Sequence, residues 1–477
     1  MNTNIRSYCE VLKNFIQFIK SDKVLNAARI YSNSFTRNRL ISLFDLIFFL
    51  IFRHGKTVNE DISFFFQDHT SPSKQALLKR EALLNYDIWF LLIQIFYLQL
   101  EKYNLLRRTH KGSLLIAIDG STATLPSHPA LNQIFGGDIN QFTPHKEDII
   151  TPKAKLSAIY DPLNKVILGF LIKPHDTSET AMMFEQLDQV LGFLKGKKVV
   201  FLLDRYYGST EFFTWCEMNK FHYIVRAKKN FYKKAREQLD PAVFDVELEV
   251  EIDKVWQRRL KREDVKNYLH QDPRLQVRLV KAEYSYSEKS KRQRNDKTWY
   301  EREVSKESQT EYFTNLGQNT FSKEEVEALY HDYRWDIETA YNGIKNDLEL
   351  EQVHSASPIA LMNMFYGKIL LFNLEMGIGA LAQDEIGENY IPNNRKIINK
   401  VRMIQFIKKL MKGEIKGKDL QKIIKEGIRK KRKIEKNRHY QRGGRFLKSI
   451  PQKKYRIGGR SNPKVRKIAG GFITIVK

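Results

Sequence analysis

The spacing of apolar residues divides the chain into segments with different periodicities. Through the first 108 residues, apolar side chains such as Phe15 and Ile19 recur at three- and four-residue intervals, as in amphipathic helices. The apolar runs Ile41–Phe52 and Ile88–Leu100 contain polar residues and are shorter than the about 20 apolar residues that cross a bilayer. They therefore predict buried helices. We expect residues 1–108 to form an all-α unit.

The pattern changes at residue 113, where short apolar runs typical of buried strands begin. Strands and helices then alternate along the chain, and this order predicts a mixed α/β sheet covered by helices. The predicted strands are Ser113–Ile118, Lys155–Tyr160, Val166–Ile172, Val199–Leu203 and Phe221–Val225, and the predicted helices are Ser178–Leu194 and Ser209–Met218. Asp161-Pro162 is a turn pair that makes the second and third strands a hairpin.

A different pattern follows between residues 230 and 315, where short alternating segments are separated by charged stretches. It predicts a β-rich insertion with strands near Val246–Ile252, Leu275–Val280 and Tyr312–Asn315. The capping box that starts at Ser322 predicts a long helix to about Leu348, and a second apolar helix follows over about Pro358–Leu381. We therefore predict five regions: 1–108, the core in two parts at 109–229 and 316–390, the insertion at 230–315, and a basic region at 391–477.

Charge is distributed very unevenly. The chain has 81 Lys and Arg against 55 Asp and Glu, a net charge of +26, and residues 391–477 contribute 29 basic and 4 acidic side chains, or +25. Such clustered positive charge predicts a polyanionic partner. Cys9 and Cys216 are too few for a disulfide framework or a zinc cluster, and the N-terminus lacks the order of a secretory signal. We expect a reducing cytoplasm and no membrane partner.

Three acidic residues stand out by their positions. Asp119 and Asp204 each follow a predicted strand, at the strand end where open α/β sheets usually place their sites. Taken alone, each is more readily explained as a turn residue. Glu338 lies on the charged helix, where a solvated face or an ion pair is the usual explanation.

The residues near Glu338 on the predicted helix form a pattern that Glu338 alone does not show. Arg334, Glu338 and Lys345 fall on one stripe of the helix together with Tyr341, and Tyr330 and His331 flank it. One interpretation is an Arg334–Glu338 ion pair beside a solvated lysine. The other is a phosphodiester site in which cations hold phosphates and the carboxylate helps to hold a metal ion. The spacing leaves both open.

These residues resemble the insertion-sequence transposases of the DDE type, whose signature is Tyr, two residues, Arg, three residues, Glu, six residues, Lys. Arg334, Glu338 and Lys345 match that spacing, while the tyrosine position falls on His331, one residue after Tyr330. The segments Ala117–Thr122 and Leu203–Ser209 are similar to the family's two Asp-bearing strands, and Phe313–Leu316 is similar to the segment before its Glu helix.

The resemblance implies an RNase H-like core with a β-rich insertion, and a transposase that performs metal-dependent cut-and-paste transposition of a bacterial mobile element. It implies that Asp119, Asp204 and Glu338 are catalytic and hold metal. Arg334 and Lys345 would clamp phosphates, and Tyr330 and His331 would contact DNA beside them. The resemblance also implies that residues 1–108 bind DNA. Three carboxylates without a Cys/His cluster suit Mg²⁺ or Mn²⁺ rather than zinc, and two ions per site are expected. The implied partners are the terminal inverted repeats, target DNA and a second copy of the chain, in a cytoplasmic, nucleoid-associated setting.

Two further features leave alternatives open. The cluster Lys430, Lys431, Arg432 and Lys433 is followed by aromatic and further basic residues, which favours contact with DNA phosphates over a solvated charge run. Trp256 and Trp299 fit packing of the insertion better than stacking on a displaced base. At the level of the whole chain, the alternatives are a catalytically inactive DNA-binding protein derived from a transposase and a cationic RNA-binding or structural protein.

Overall fold

The computed structural model describes residues 3–386, except 38, 54–56, 67–70, 140–149, 229, 238, 241–242, 294–298 and 353–354, together with 407–409, 465–467 and 473–475. Lys430, Lys431, Arg432 and Lys433 lie outside the described residues. Within the described residues a mixed nine-stranded sheet is flanked by helices, so the predicted α/β class is confirmed. The predicted region boundaries stay predictions.

The centre of the sheet is built from strands that the apolar runs predicted. Its elements are β1 (Leu114–Thr124), β3 (Ile150–Asp161), β4 (Val166–Pro174), α8 (Glu179–Leu194), β5 (Val199–Leu203), α9 (Thr210–Met218) and β6 (His222–Arg226), with α7 (Pro129–Phe135) and the edge strand β2 (Gly137–Ile139) between β1 and β3. β3 pairs antiparallel with both β4 and β1, whereas β1, β5 and β6 are parallel neighbours. The helices α8 and α9 make the crossovers after β4 and after β5. The spatial order β4-β3-β1-β5-β6 is the topology of an RNase H-like core.

The segment predicted as a β-rich insertion extends the same sheet beyond β6. Its strands are β7 (Asp245–Glu251), β8 (Arg274–Gln293) and β9 (Trp299–Thr314), in the spatial order β6-β9-β8-β7. It also contains three helices that the sequence pattern did not predict: α10 (Lys233–Glu237), α11 (Lys254–Arg259) and α12 (Glu263–Gln271). These helices are only five to nine residues long, too short for an apolar periodicity to stand out.

The N-terminal region is helical, as predicted, and packs against the last long helix. Trp89 donates its indole N–H to Asn363 Oδ1 at 2.9 Å, and the Tyr8 hydroxyl donates to the Leu374 carbonyl at 2.7 Å. No helix in the described part of the chain is long and apolar enough to cross a membrane. The helices are α1 (Thr3–Ile19), α2 (Asp22–Ala28), α3 (Leu43–Phe52), α4 (Val58–Phe65), α5 (Lys74–Glu81), α6 (Ile88–Lys102) and α15 (Pro358–Ile386).

The predicted long helix after Ser322 is divided into three pieces. They are α13 (Lys323–Tyr333), α14 (Asp336–Asn342) and a π-helical segment (Gly343–Asp347). The amides of Glu338 and Thr339 both donate to the Trp335 carbonyl, a shared acceptor typical of a helix terminus, so a new helix begins there. The linking residues Arg334 and Trp335 keep right-handed helical dihedrals, which is why the apolar spacing continued across the break. A separate two-stranded ladder joins β10 (Val465–Lys467) to β11 (Ile473–Ile475).

A buried arginine fastens the inserted strands to the start of α13. Arg278 on β8 donates from Nε and Nη2 to the Asp245 carboxylate, both at 2.7 Å, and from Nη1 to the carbonyls of Leu316 and Phe321 at 2.9 and 2.8 Å. Its side chain is 2% exposed. Because those carbonyls lie in the loop before α13, the inserted strands help to fix where that helix begins.

We expect Arg278→Ala to lower the free energy of unfolding by roughly 3 kcal/mol, because it leaves a carboxylate and two buried carbonyls without their donor. Urea denaturation of the full-length protein measures the change. Arg274→Ala is the matched control on the same strand: its ion pair with Asp272 is more than half exposed, so its loss should leave the free energy of unfolding almost unchanged. Equal costs for the two variants would contradict the anchoring role.

Candidate active site

Asp119 on β1 and Asp204 directly after β5 are neighbours where the parallel pairing of these two strands ends. The last paired residues of β1 and β5 are Ile118 and Leu203, so the two aspartates occupy the next position in register. Neighbouring strands are about 4.8 Å apart, and residues in register point to the same face. Both aspartates are half-buried. The structure thus brings together the two acids that were singled out at predicted strand ends.

Asp119 differs from the prediction in one respect, since it lies within a strand and not after one. β1 continues to Thr124 because its other edge stays paired with β3, where Asp119 faces Ala158. The parallel pairing with β5, however, ends at Ile118. The backbone of Asp119 is therefore paired with β3 on one side, while on the other side, toward Asp204, the pairing with β5 has ended.

Two side chains of the segment from α14 into the π-helix form hydrogen bonds to β1. The Tyr341 hydroxyl donates to the Asp119 carbonyl at 2.9 Å. One helical turn further on, the Lys345 ammonium donates to Ser121 Oγ at 2.8 Å and to the Thr122 carbonyl at 2.7 Å. Glu338 precedes Tyr341 by three residues, so these hydrogen bonds place it on the Asp119 side of the sheet.

The electrostatics of Asp119 show that several charged groups surround it. The pKa of Asp119 is raised to about 6, chiefly by burial, and the Glu338 and Glu179 carboxylates act in the same direction. The hydrogen bond from the Gly120 amide to Asp119 Oδ1, at 2.9 Å, and the Arg334 guanidinium act in the opposite direction. The carboxyl group of Asp119 thus sits where an additional positive charge would be stabilising.

The cations predicted to clamp phosphates are both engaged by protein groups. Arg334 Nη1 lies 3.0 Å from Glu338 Oε1, and its guanidinium stacks 4.6 Å from the centroid of the Trp335 ring. The Lys345 ammonium is held by Ser121 and Thr122, and burial lowers its pKa. The i, i+4 ion pair of the first interpretation is therefore present, whereas the lysine is not a solvated one.

Tyr330 and His331, which flank the stripe, have different surroundings. Tyr330 is buried and packs against Tyr312 with ring centroids 4.7 Å apart, in the apolar core between the sheet and α13. His331 is exposed and lies 3.2 Å from the Asp332 carboxylate. Tyr330 is thus placed as a core residue, and its predicted DNA contact stays a prediction, as does that of His331.

Sequence reasoning missed a further carboxylate at this site. Glu179, the first residue of α8, lies against the backbone of Gly120: a Cβ built on that glycine would be 2.6 Å from Glu179 Cδ. An acid in the first turn of a helix is so common that it gave no signal by itself. Glycine directly after Asp119 was the available hint, because it permits a close approach.

The donor atoms at this site suit a hard divalent cation. Asp119, Asp204 and Glu338 offer carboxylate oxygens, the ligands that Mg²⁺ and Mn²⁺ prefer. In the part of the chain that the structure describes, no three Asp, Glu, His or Cys side chains are close enough to share one metal ion as they stand. Glu338, in particular, is paired with Arg334.

Comparison with known proteins gives a matching family model and a likeness to solved structures. A family model described as "Transposase DDE domain" matches residues 110–374, a range that begins before β1 and ends inside α15. Among solved structures, the chain is similar to a cryo-EM structure of a piggyBac transposase synaptic complex with hairpin DNA. The identity is 9%, the match covers 93% of this chain and 86% of that one, and the TM-score is 0.37. No curated protein matches the chain.

We expect Gly120→Ala to destabilise the protein by about 1 kcal/mol, because the added methyl group would meet the Glu179 carboxyl group at 2.6–2.7 Å and displace it from its hydrogen bonds to Lys155 and Tyr207. Thermal unfolding measures the effect. The control is Gly192→Ala in α8, where no atom lies within 4 Å of the new carbon and helix propensity favours alanine by about 1 kcal/mol. An unchanged melting temperature for Gly120→Ala would contradict a stabilising role for the hydrogen bonds that hold the Glu179 carboxyl group against β1.

Proposed function

The chain belongs to the transposase DDE-domain family, and we propose that it cleaves the ends of its transposon and joins the freed 3′ ends to target DNA. The family model spans the elements that carry Asp119, Asp204 and Glu338. The observation that carries the proposal is the register of β1 and β5, which sets two aspartates side by side next to the helix that bears Glu338. DNA as the partner follows from the family.

In this proposal, Asp119 and Asp204 bind divalent cations from the sheet, and Glu338 binds from α14. Bound Mg²⁺ ions would stabilise charge on the attacking and leaving oxygens of the phosphodiester. Tyr341 and Lys345 orient α14 relative to β1 through their hydrogen bonds, and this keeps the three carboxylates in fixed positions relative to one another. Arg334 holds the Glu338 side chain and contributes a positive charge at the same place.

DNA binding outside the site is assigned to the basic region 391–477, with Lys430, Lys431, Arg432 and Lys433 as its densest cluster. The rest of the chain carries almost no net charge, so the region supplies nearly all of the attraction for a polyanion. We also propose that two copies of the chain hold the two transposon ends in one complex, as cut-and-paste transposition needs both ends together.

Asp119→Asn, Asp204→Asn and Glu338→Gln should each reduce Mg²⁺-dependent cleavage at least about 100-fold, because each removes charge that binds the metal and such losses amount to several kcal/mol of barrier. The assay uses duplex ends taken from the DNA that flanks the reading frame, with Mn²⁺ as a substitute ion. DNA affinity should stay within about threefold of the unaltered protein. Glu324→Gln, on the exposed face of α13, is the control.

Cleavage by any of the three variants at the rate of the Glu324→Gln control would reject the site. If the unaltered protein binds these ends but cuts neither intact nor pre-nicked ones with either ion, the chain is a non-catalytic DNA-binding relative of the transposases instead.

Replacing Lys430, Lys431, Arg432 and Lys433 together with glutamine should flatten the salt dependence of DNA binding. Removing one lysine or arginine from a DNA phosphate reduces the slope of log K against log[salt] by about 0.9, so four such changes would reduce it by up to about 3.6. Fluorescence anisotropy from low to high salt gives the slope, and Asp119→Asn protein should keep the original one. An unchanged slope in the quadruple variant would place the DNA-binding residues elsewhere.

A further inference from the structure

Glu179 occupies an unusual place for an acid at a helix start. It follows the N-cap Ser178, yet its carboxyl group is turned onto β1, where a Cβ on Gly120 would be 2.6 Å from Cδ and 2.7 Å from Oε2. The group therefore rests on the strand backbone one residue after Asp119. Its charge is one of the influences that raise the pKa of Asp119.

Both carboxylate oxygens of Glu179 already have donors. Oε1 accepts from the Lys155 ammonium at 3.2 Å, and Oε2 accepts from the Tyr207 hydroxyl at 3.1 Å. Lys155 lies on β3, opposite Thr122 of β1. The Glu179 side chain is 26% exposed, so it is largely enclosed by these neighbours. Because both of its oxygens accept hydrogen bonds, the Glu179 carboxylate influences the site through its two donors, Lys155 and Tyr207.

Tyr207 connects Glu179 to the turn that carries Asp204. The Tyr207 amide donates to the Asp204 carbonyl at 3.1 Å, and the residue is 1% exposed. From the opposite side, the Lys228 ammonium donates to the carbonyls of Tyr206 and Gly208 at 3.3 and 3.1 Å. Two sets of hydrogen bonds thus hold the turn. The Glu179–Tyr207 hydrogen bond is the one that connects it toward β1.

We propose that Glu179 is a positioning residue that, through the Tyr207 hydroxyl, fixes the turn after β5 against β1 and so holds the Asp204 carboxylate beside that of Asp119. The inference rests on the proposed function, in which these two aspartates bind a divalent cation. Groups that hold metal ligands in place, without touching the metal, typically contribute 10- to 100-fold to metal affinity. Glu179 and Tyr207 are expected to act in that range and as one unit.

The test measures binding of Mn²⁺ alone to the full-length protein, without DNA, from the electron paramagnetic resonance signal of free Mn²⁺. Tyr207→Phe is the decisive variant, because it removes the hydroxyl without altering the charge of the site or the packing of the ring. We expect its Mn²⁺ affinity to fall about 10-fold, and that of Glu179→Gln to fall at least as much. The double variant should be no weaker than the weaker single one, since both changes act on the same hydrogen bond: Glu179→Gln removes the charge of its acceptor and Tyr207→Phe removes its donor.

Glu185→Gln is the matched control for charge. It removes one carboxylate from the same helix, where Glu185 pairs with Lys173 at 2.7 Å, and its Mn²⁺ affinity should stay within twofold of the unaltered protein. Thermal unfolding confirms that each variant is folded. If Glu179→Gln fails to fold, Tyr207→Phe decides alone.

Asp119→Asn, measured in parallel, separates the two proposals. If it weakens Mn²⁺ binding while Tyr207→Phe stays within twofold of the unaltered protein, the metal site stands and the positioning role is overturned. Additive decreases in affinity in the double variant overturn it as well. If Asp119→Asn leaves Mn²⁺ affinity unchanged, the metal-binding part of the proposed function fails and the positioning role fails with it.

Discussion

Mutual repulsion of carboxylates is the constraint on which the arrangement of this site depends. Asp119, Glu179 and Glu338 are near enough for the two glutamates to raise the pKa of the aspartate, in surroundings whose burial already raises it. Such a cluster would push itself apart unless the fold held each member separately. The pairing of β1 with β3 fixes the backbone of Asp119, while Arg334 holds Glu338 and the Lys155 and Tyr207 donors hold Glu179.

The same constraint explains why so many distant segments converge on β1. Strand β3 supplies Lys155, and the turn after β5 supplies Tyr207. The segment from α14 onward is tied to the strand by Tyr341 and Lys345. Even the inserted strands take part, because Arg278 fastens them to the loop that leads into α13. We expect local damage in any of these segments to be transmitted to the site through these hydrogen bonds, several of which end on backbone carbonyls.

The sequence was informative where local patterns decide the structure and silent where distant contacts do. The apolar run of β5 and the acid that follows it were sufficient to predict both the strand and the candidate Asp204. The break at Arg334 and Trp335 left the spacing of apolar residues intact, so periodicity could not reveal it. The pairing of β9 with β6, and the seating of Lys345 on Thr122, join residues about 90 or more positions apart, and no local pattern encodes such contacts. Glu179 was missed for the same reason, because its meaning comes from Gly120 and Tyr207.

Arg334 and Lys345, two cationic side chains of the site, both bind protein groups, and this affects how the protein would bind DNA. Arg334 neutralises Glu338, and Lys345 directs its donors to Ser121 and Thr122, so neither ammonium nor guanidinium is left without a protein partner. A DNA backbone brings one negative charge per phosphate, and the carboxylates of the site add more of the same sign. The compensating charge must therefore come from bound cations and from basic residues elsewhere in the chain. Since residues 391–477 hold +25 of the net +26, the proposed function assigns attraction for DNA and the chemistry of the site to different parts of the same polypeptide. Raised salt concentration should accordingly weaken capture of the DNA far more than it weakens the carboxylate site itself.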